Sequence, residues 1–224
     1  MSSFVLKVIA CITMFIDHIG YAIYGKLSWC NYIGRIAFPI FAYQITEGYT
    51  HTKSLKKYFL RLLVFAIISQ VPFMLFHSII SRDFGLNIFF TLLLGLLSIF
   101  LFEKLPSKLL SIPFIALLCA FAEVTNMDYG YWGVLLIFVF YLCKNSKILL
   151  TISFLVLLCI HYVPNFIVSN FYYGYIYLML CTFASIVPIL FYNQKQGRKV
   201  KYFLYVFYPA HLLFIYGLHF LFFH

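Results

Sequence analysis

An aspartate and a histidine stand side by side inside an apolar run, Asp17 and His18 of TMFIDHIG. An arginine and a glutamate, Arg35 and Glu47, stand near the two ends of the next run, GRIAFPIFAYQITEGYTHT. Titratable groups in oily surroundings are costly unless they pair or line a wet cavity, so they mark a candidate functional site. A histidine can take a proton from a nucleophile near neutral pH and return it later. Consecutive helical residues point about 100° apart, so Asp17 can meet Arg35 while His18 faces a substrate cavity. His211, in FYPAHL near the other end of the chain, is a further candidate for the same layer. The plain structural account is that Asp17 and Arg35 form a neutralised pair fixing helix packing, and that His211 makes a helix–helix hydrogen bond.

A second group lies further along. Gln44, Glu47 and His51 fall at i, i+3 and i+7 on one helical face, and Lys53, Lys56, Lys57 and Arg61 follow. Lysine and arginine suit phosphate groups, so this cluster reads either as a dock for a phosphate-bearing molecule or as a topology anchor. Glu47 would bond an amide of that molecule or pair with Arg61. Polar groups also punctuate the ends of other runs: Gln70 before Pro72, Asn87 with Thr91 at i, i+4, and Asp128-Tyr129-Gly130. They fit interhelical hydrogen bonding or substrate support. The six cysteines show no CxxC and no ligand spacing with histidine, and no metal is expected. No Walker loop, GxGxxG, HExxH or GxSxG is present.

The elements that must hold these residues are membrane helices. The chain is 64% hydrophobic and 10% charged, against about 25% charged in soluble domains. The apolar runs are continuous and helix-length, unlike the alternating segments of about 10 residues in a membrane β-barrel. The expected fold is therefore all-α, a polytopic transmembrane bundle forming a single domain over 1–224. A crossing takes about 20 apolar residues. Nine runs approach that length, at 4–24, 31–49, 58–77, 87–102, 109–123, 131–143, 148–163, 173–192 and 202–223. The opening MSSFVLK reads as the start of an uncleaved first span.

Cations alternate with these runs. Lys7 precedes the first; Lys53, Lys56, Lys57 and Arg61 follow the second; Lys104 and Lys108 the fourth; Lys144 and Lys147 the sixth; Lys195, Arg198, Lys199 and Lys201 the eighth. The intervening connections hold only Lys26 and Arg82, with Arg35 just inside a span, and otherwise carry groups such as Asn31, Asp83 and Asn165. Positive-inside bias then places the N-terminus in the cytoplasm and His224 outside. The +10 formal charge is thereby accounted for by topology, and no nucleic acid is expected. Tyr172, Tyr173, Tyr175 and Tyr177 read as an interfacial belt. Pro72, Pro113, Pro164, Pro188 and Pro209 are expected to kink helices. At 1.5 Å per residue, Asp17 and His18 lie about 15 Å along the helix from Lys7, and His211 about 14 Å beyond Lys201, so both histidines reach a mid-membrane layer.

The ordered series MFIDHIG, IGRIAFPIFAYQITEGYTHT, KKYFLRLLVFAIISQVPF, LNIFFTLLLGLL, DYGYWGVLLI and FYPAHLLFIYGL resembles the TraX family. That family is a group of bacterial inner-membrane proteins that includes the pilin N-acetyltransferase of conjugative plasmids. The likeness covers nearly the whole chain and is poorest over 144–192. It implies an integral membrane acyltransferase that moves an acetyl group from cytoplasmic acetyl-CoA to the N-terminus of a pilin-type peptide or another amine at the membrane. Mapped onto these residues, His18 becomes the base and Asp17 its electrostatic partner, with Arg35 holding the layer together. Lys56, Lys57 and Arg61 become the receivers of the CoA phosphates, and Arg35 or Asn87 a donor to the developing oxyanion. Those roles rest on residue type and depth. Two other classes fit the same residues: a proton- or ion-coupled transporter using Asp17, His18, Arg35 and Glu47 as a relay, and a noncatalytic assembly subunit of a surface structure.

Overall fold

The computed structural model describes residues 1–25, 27–80, 85–198 and 202–223. The expectations placed on Lys26, Arg82, Asp83, Lys199, Lys201 and His224 lie outside the described residues. The named elements are eleven helices: α1 (Ser3–Tyr24), α2 (Trp29–Gly34), α3 (Ala37–His51), α4 (Leu55–Ile80), α5 (Ile88–Lys104), α6 (Lys108–Val124), α7 (Gly130–Cys143), α8 (Lys147–Val168), α9 (Gly174–Ala184), α10 (Ile186–Leu190) and α11 (Phe203–Phe223).

The nine apolar runs are all helical, but two of them are broken. The second divides into α2 and α3, and the eighth into α9 and α10. Proline accounts for both breaks. It has no N–H for the carbonyl four residues earlier, and its ring crowds that carbonyl. Four residues before Pro39 is Arg35, the residue that caps α2; four before Pro188 is Ala184, the last residue of α9. In α3 and α10 the same prolines sit in the first turn, where no donor is required. Pro72, Pro113, Pro164 and Pro209 instead lie within α4, α6, α8 and α11, which continue through them.

Among the described residues, four helices are long and apolar enough to cross a membrane: α1, α4, α8 and the 203–222 stretch of α11. At 17 residues each, α5 and α6 stand at the short end of the range of about 17–25 that spans a bilayer. The outward faces are strongly apolar. Leu60, Ile67, Ile68 and Val71 are exposed on α4, Leu109, Ile112 and Leu117 on α6, and Ile148, Ile152 and Ile160 on α8. Contiguous apolar surface on this scale suits contact with lipid.

Inside, α1 packs on α2, α3 and α11, while α5 packs on α4, α6 and α7. Small residues let α1 and α2 approach closely. A Cβ on Gly34 would lie 2.2 Å from Asp17 Oδ1, and one on Gly20 would lie 2.4 Å from Cys30 Cβ. The helix ends that carry the cations meet at one end of the bundle. There Ser3 N–H donates to the Lys195 carbonyl at 2.9 Å, and Lys144 Nζ donates to Thr50 Oγ1 at 3.2 Å. Exposed aromatic residues, including Tyr24, Trp29, Tyr172, Tyr173 and Tyr177, mark the other end, with Tyr175 half-buried beside them.

Candidate functional site

Asp17 and His18 leave α1 in different directions and enter different surroundings. His18 faces α11. Its Nδ1 lies 2.8 Å from the Met14 carbonyl one turn back and 3.2 Å from Nε2 of His211. The His211 Nδ1 in turn lies 2.8 Å from the Phe207 carbonyl. Aromatic neighbours fix both rings: Phe76 is edge-on to His18 at 5.0 Å, and Phe207 is stacked on His211 at 4.9 Å. The helical-rise estimate that set the two imidazoles at one depth thus matches a direct ring-to-ring contact, with His18 half-buried and His211 buried.

Asp17 faces the opposite way, into the elbow between α2 and α3. Arg35 donates from Nη2 to Asp17 Oδ1 at 3.1 Å, with side chains only 20% and 12% exposed. Asn31 completes the arrangement. Its Nδ2 donates to the Asp17 carbonyl at 3.1 Å and to Oδ1 at 3.2 Å. Its own carbonyl accepts from Arg35 Nε at 3.3 Å, and its Oδ1 accepts from the Ser28 N–H at 2.7 Å. Breaking such a pair by removing one partner leaves a charge uncompensated in a poor solvent for it, a cost of about 3–5 kcal/mol. Asn31 was visible in sequence only as a polar residue at the edge of a run.

Gln70 and Asn87 make a second network, and Thr91 holds the Asp128 backbone beside it. Asn87 caps α5 by accepting from the Phe89 N–H at 3.0 Å, and its Nδ2 donates to the Ala66 carbonyl at 2.7 Å and to Gln70 Oε1 at 2.8 Å. Gln70 Nε2 donates to the Gly85 carbonyl at 2.8 Å, and the Thr91 hydroxyl donates to the Asp128 carbonyl. These contacts pin the start of α5 between α4 and the turn before α7. Both Asn87 side-chain hydrogens are engaged, so Asn87 has no donor left for an oxyanion. Tyr129 holds a left-handed backbone at φ 65° and stacks on Phe38 at 3.8 Å, which anchors the same turn to α3.

The other end of the bundle opens into a cavity of about 710 Å³ between α1, α3, α4, α5 and α11. Its cations are Lys7, Lys53, Lys57, Arg61 and Arg198, and Glu47 and His51 also line it. Of the cluster expected to receive phosphates, Lys56 is the exception. One residue from Lys57, it is carried to the other side of α4, into a shallow recess with Phe59, Leu97 and Phe100. Lys7 and Arg198 take part instead. The segment after α10 brings in Arg198 by folding back on the start of α1, where the Phe4 N–H donates to the Gln196 carbonyl at 3.2 Å.

Three polar atoms in this wall are buried without a hydrogen-bond partner: Gln44 Nε2, Glu47 Oε2 and Arg61 Nε. Glu47 Oε2 is 3.7 Å from His51 Nδ1, beyond hydrogen-bonding reach. Buried polar atoms are normally satisfied; Ser69 Oγ, Trp132 Nε1 and His161 Nδ1 are further exceptions away from the cavity, and the three that share this wall fit a ligand with matching donors and acceptors. The deep part is apolar, lined by Met14, Ile88, Phe89, Leu92 and Tyr208. From Ser3 at the rim to Met14 the cavity follows α1 for about 17 Å at 1.5 Å per residue. Met14 and Tyr208 are one helical turn short of His18 and His211, and Tyr208 packs on the His211 ring at 5.6 Å. A faint signal for these lining residues existed in sequence. Ser3, Lys7, Met14 and His18 share one face of α1, and Tyr205, Tyr208 and His211 recur every third residue along α11.

A helical membrane protein with a cationic cavity reaching toward a buried histidine pair is the class that these features define. The TraX protein family matches over residues 2–219, and the chain belongs to that family. It is 30% identical over 233 residues to the probable fimbrial assembly protein FimC, serogroup H1, of Dichelobacter nodosus, covering 94% of this chain and 93% of that protein. It is also 26% identical over 147 residues to the uncharacterized protein RP591 of Rickettsia prowazekii (strain Madrid E), covering 63% of this chain and 56% of that one. No solved structure matches.

Proposed function

We propose that the protein is a multi-pass N-acetyltransferase of the bacterial inner membrane. It transfers the acetyl group of cytoplasmic acetyl-CoA to an amine at the membrane, a pilin-type peptide N-terminus or another exported amine. The observation that carries this reading is the cavity: cations at its rim, unsatisfied polar atoms in its wall, and an apolar end one turn from His18 and His211. Lys53, Lys57, Arg61 and Arg198 would hold the phosphates, Gln44 and Glu47 the amides of the connecting arm, and the apolar end the thioester. In this orientation the cavity opens to the cytoplasm, the N-terminus is cytoplasmic, and the nine apolar runs each traverse the bilayer, with α2–α3 and α9–α10 as broken traverses.

Transfer then proceeds by attack of the amine nitrogen on the thioester carbonyl. The C–N bond forms, the C–S bond breaks, and His18 takes the amine proton and returns it to the departing thiolate. Tyr208, which lines the deep end of the cavity, is a better-placed donor to the developing oxyanion than Asn87. The test is acetyl transfer from labelled acetyl-CoA in membranes. His18→Ala abolishes it while protein level persists; retained transfer removes His18 as the base.

The name of the Dichelobacter relative favours a second reading, a noncatalytic subunit for assembling a surface structure. It calls for no binding of acetyl-CoA, and for alanine at His18 to matter no more than alanine at the exposed Phe114 of α6.

A further inference from the structure

The hydrogen bonds around the histidine pair fix where its protons lie. The Phe207 carbonyl can only accept, so Nδ1 of His211, 2.8 Å away, carries a hydrogen. A neutral imidazole has one N–H, which leaves Nε2 of His211 as a bare lone pair. That lone pair is 3.2 Å from Nδ1 of His18, and the Met14 carbonyl is 2.8 Å from the same nitrogen. Two acceptors therefore converge on one ring nitrogen. With the hydrogen of His18 on Nε2 instead, three lone pairs would face one another inside the bundle.

Resting on the acetyltransferase reading for its chemical consequence, we propose that His211 is a positioning residue for His18. Its bare Nε2 accepts from His18 Nδ1–H, so the one basic nitrogen of the pair without a hydrogen-bond partner among the described residues is Nε2 of His18. When that nitrogen takes the amine proton, His18 becomes an imidazolium whose Nδ1–H is already directed at two acceptors, Met14 O and His211 Nε2. The charge is shared without any reorganisation of the rings, the condition under which fixed polar groups assist a reaction most. Returning the proton to the thiolate restores the starting pair, so no atom is lost or gained by either ring. A carboxylate in the place of His211 would trap the proton, and an apolar side chain would leave the imidazolium with one acceptor in place of two.

The full-length protein, labelled with 15N-histidine and held in lipid nanodiscs, tests this directly by NMR. The ring resonances of His18 are assigned by their loss in His18→Ala among the seven histidines. The expected spectrum shows a protonated Nδ1 and a bare Nε2 on His18, with a nitrogen–nitrogen scalar coupling from that Nδ1 to Nε2 of His211. A bare Nδ1 on His18, or no coupling, overturns the proposal whatever the activity. Two variants then read the consequence. His211→Gln keeps an acceptor and retains transfer within about tenfold of wild type. His211→Leu keeps the bulk without the acceptor and lowers kcat about 100-fold, the lower range for loss of acid–base assistance, with KM for acetyl-CoA unchanged. Full activity of His211→Leu overturns the positioning role. Wild-type protein that shows the coupling but transfers no acetyl group sinks the acetyltransferase reading and leaves the hydrogen-bonded pair standing.

Discussion

The two polar regions of this bundle differ in how completely their hydrogen bonds are made. Around Asp17, Asn31 and Arg35, and around Gln70, Asn87 and Thr91, donors and acceptors meet one another inside the protein. Around the cavity, Gln44, Glu47 and Arg61 each keep a buried atom unengaged. A closed network rigidifies its surroundings, whereas an unfilled one costs stability and is retained where something else fills it. Both regions contain the charged residues that drew attention in the sequence. The difference teaches that in this protein the satisfied polar groups build the frame, and under the proposed function the unsatisfied ones are where a ligand would dock.

The largest effect expected from this contrast is in the frame. Asp17→Leu leaves Arg35 charged and mostly buried without its partner, at a cost of about 3–5 kcal/mol. The expected outcome is loss of monodisperse protein in detergent extracts, with substantial recovery in the Asp17→Leu/Arg35→Leu double variant. If the double variant is also inactive while folded, Asp17 or Arg35 does more than hold helices together. Next come the cavity cations. Lys57→Ala and Arg61→Ala each weaken acetyl-CoA binding by about tenfold, as expected for losing a charge-assisted phosphate contact; the exposed Lys57 does so with a shift in stability of no more than about 0.5 kcal/mol. Binding also weakens as salt is raised, because the rim charges are partly screened.

A smaller effect, and the sharper test of the contrast, belongs to Gln44→Leu. Its amide nitrogen has no partner to lose, and its oxygen loses only the bond from the Ser3 hydroxyl at 2.7 Å, so stability falls by no more than about 1.5 kcal/mol while binding falls several-fold. A drop in stability as large as that of Asp17→Leu would erase the distinction between the two regions. The smallest effect is expected at Lys56→Ala. Its side chain lies across α4 from the cavity, so acetyl-CoA affinity, measured by calorimetry beside Lys57→Ala, stays at the wild-type value.

Much of the frame was legible in the sequence, for reasons that can be assigned to particular residues. Asp17 and Arg35 had to find each other because neither charge tolerates the bundle interior alone, and helical rise put them at compatible depths. The same arithmetic brought His18 and His211 into one layer. Helix breaks were harder to read, because a proline ends a helix or is carried inside it according to what neighbouring helices supply. Pro39 and Pro188 stop their runs, while Pro72 and Pro164 do not. The cavity was legible only in part. Lys56 and Lys57 are alike in composition, and a single residue of helical rotation separates a cavity wall from the far side of α4. Arg198 reaches the cavity through contacts between distant parts of the chain, which no local pattern records.

One of the prolines carried inside a helix lies where it matters. Pro209 has no hydrogen to give the Tyr205 carbonyl, so the ladder of α11 lacks a rung in the turn that bears Tyr205 and Tyr208 on the cavity and His211 just past it. Proline is where a helix bends when it bends sharply. The deep end of the cavity and the paired imidazoles thus lie on either side of the one turn of α11 at which a bend would change their spacing.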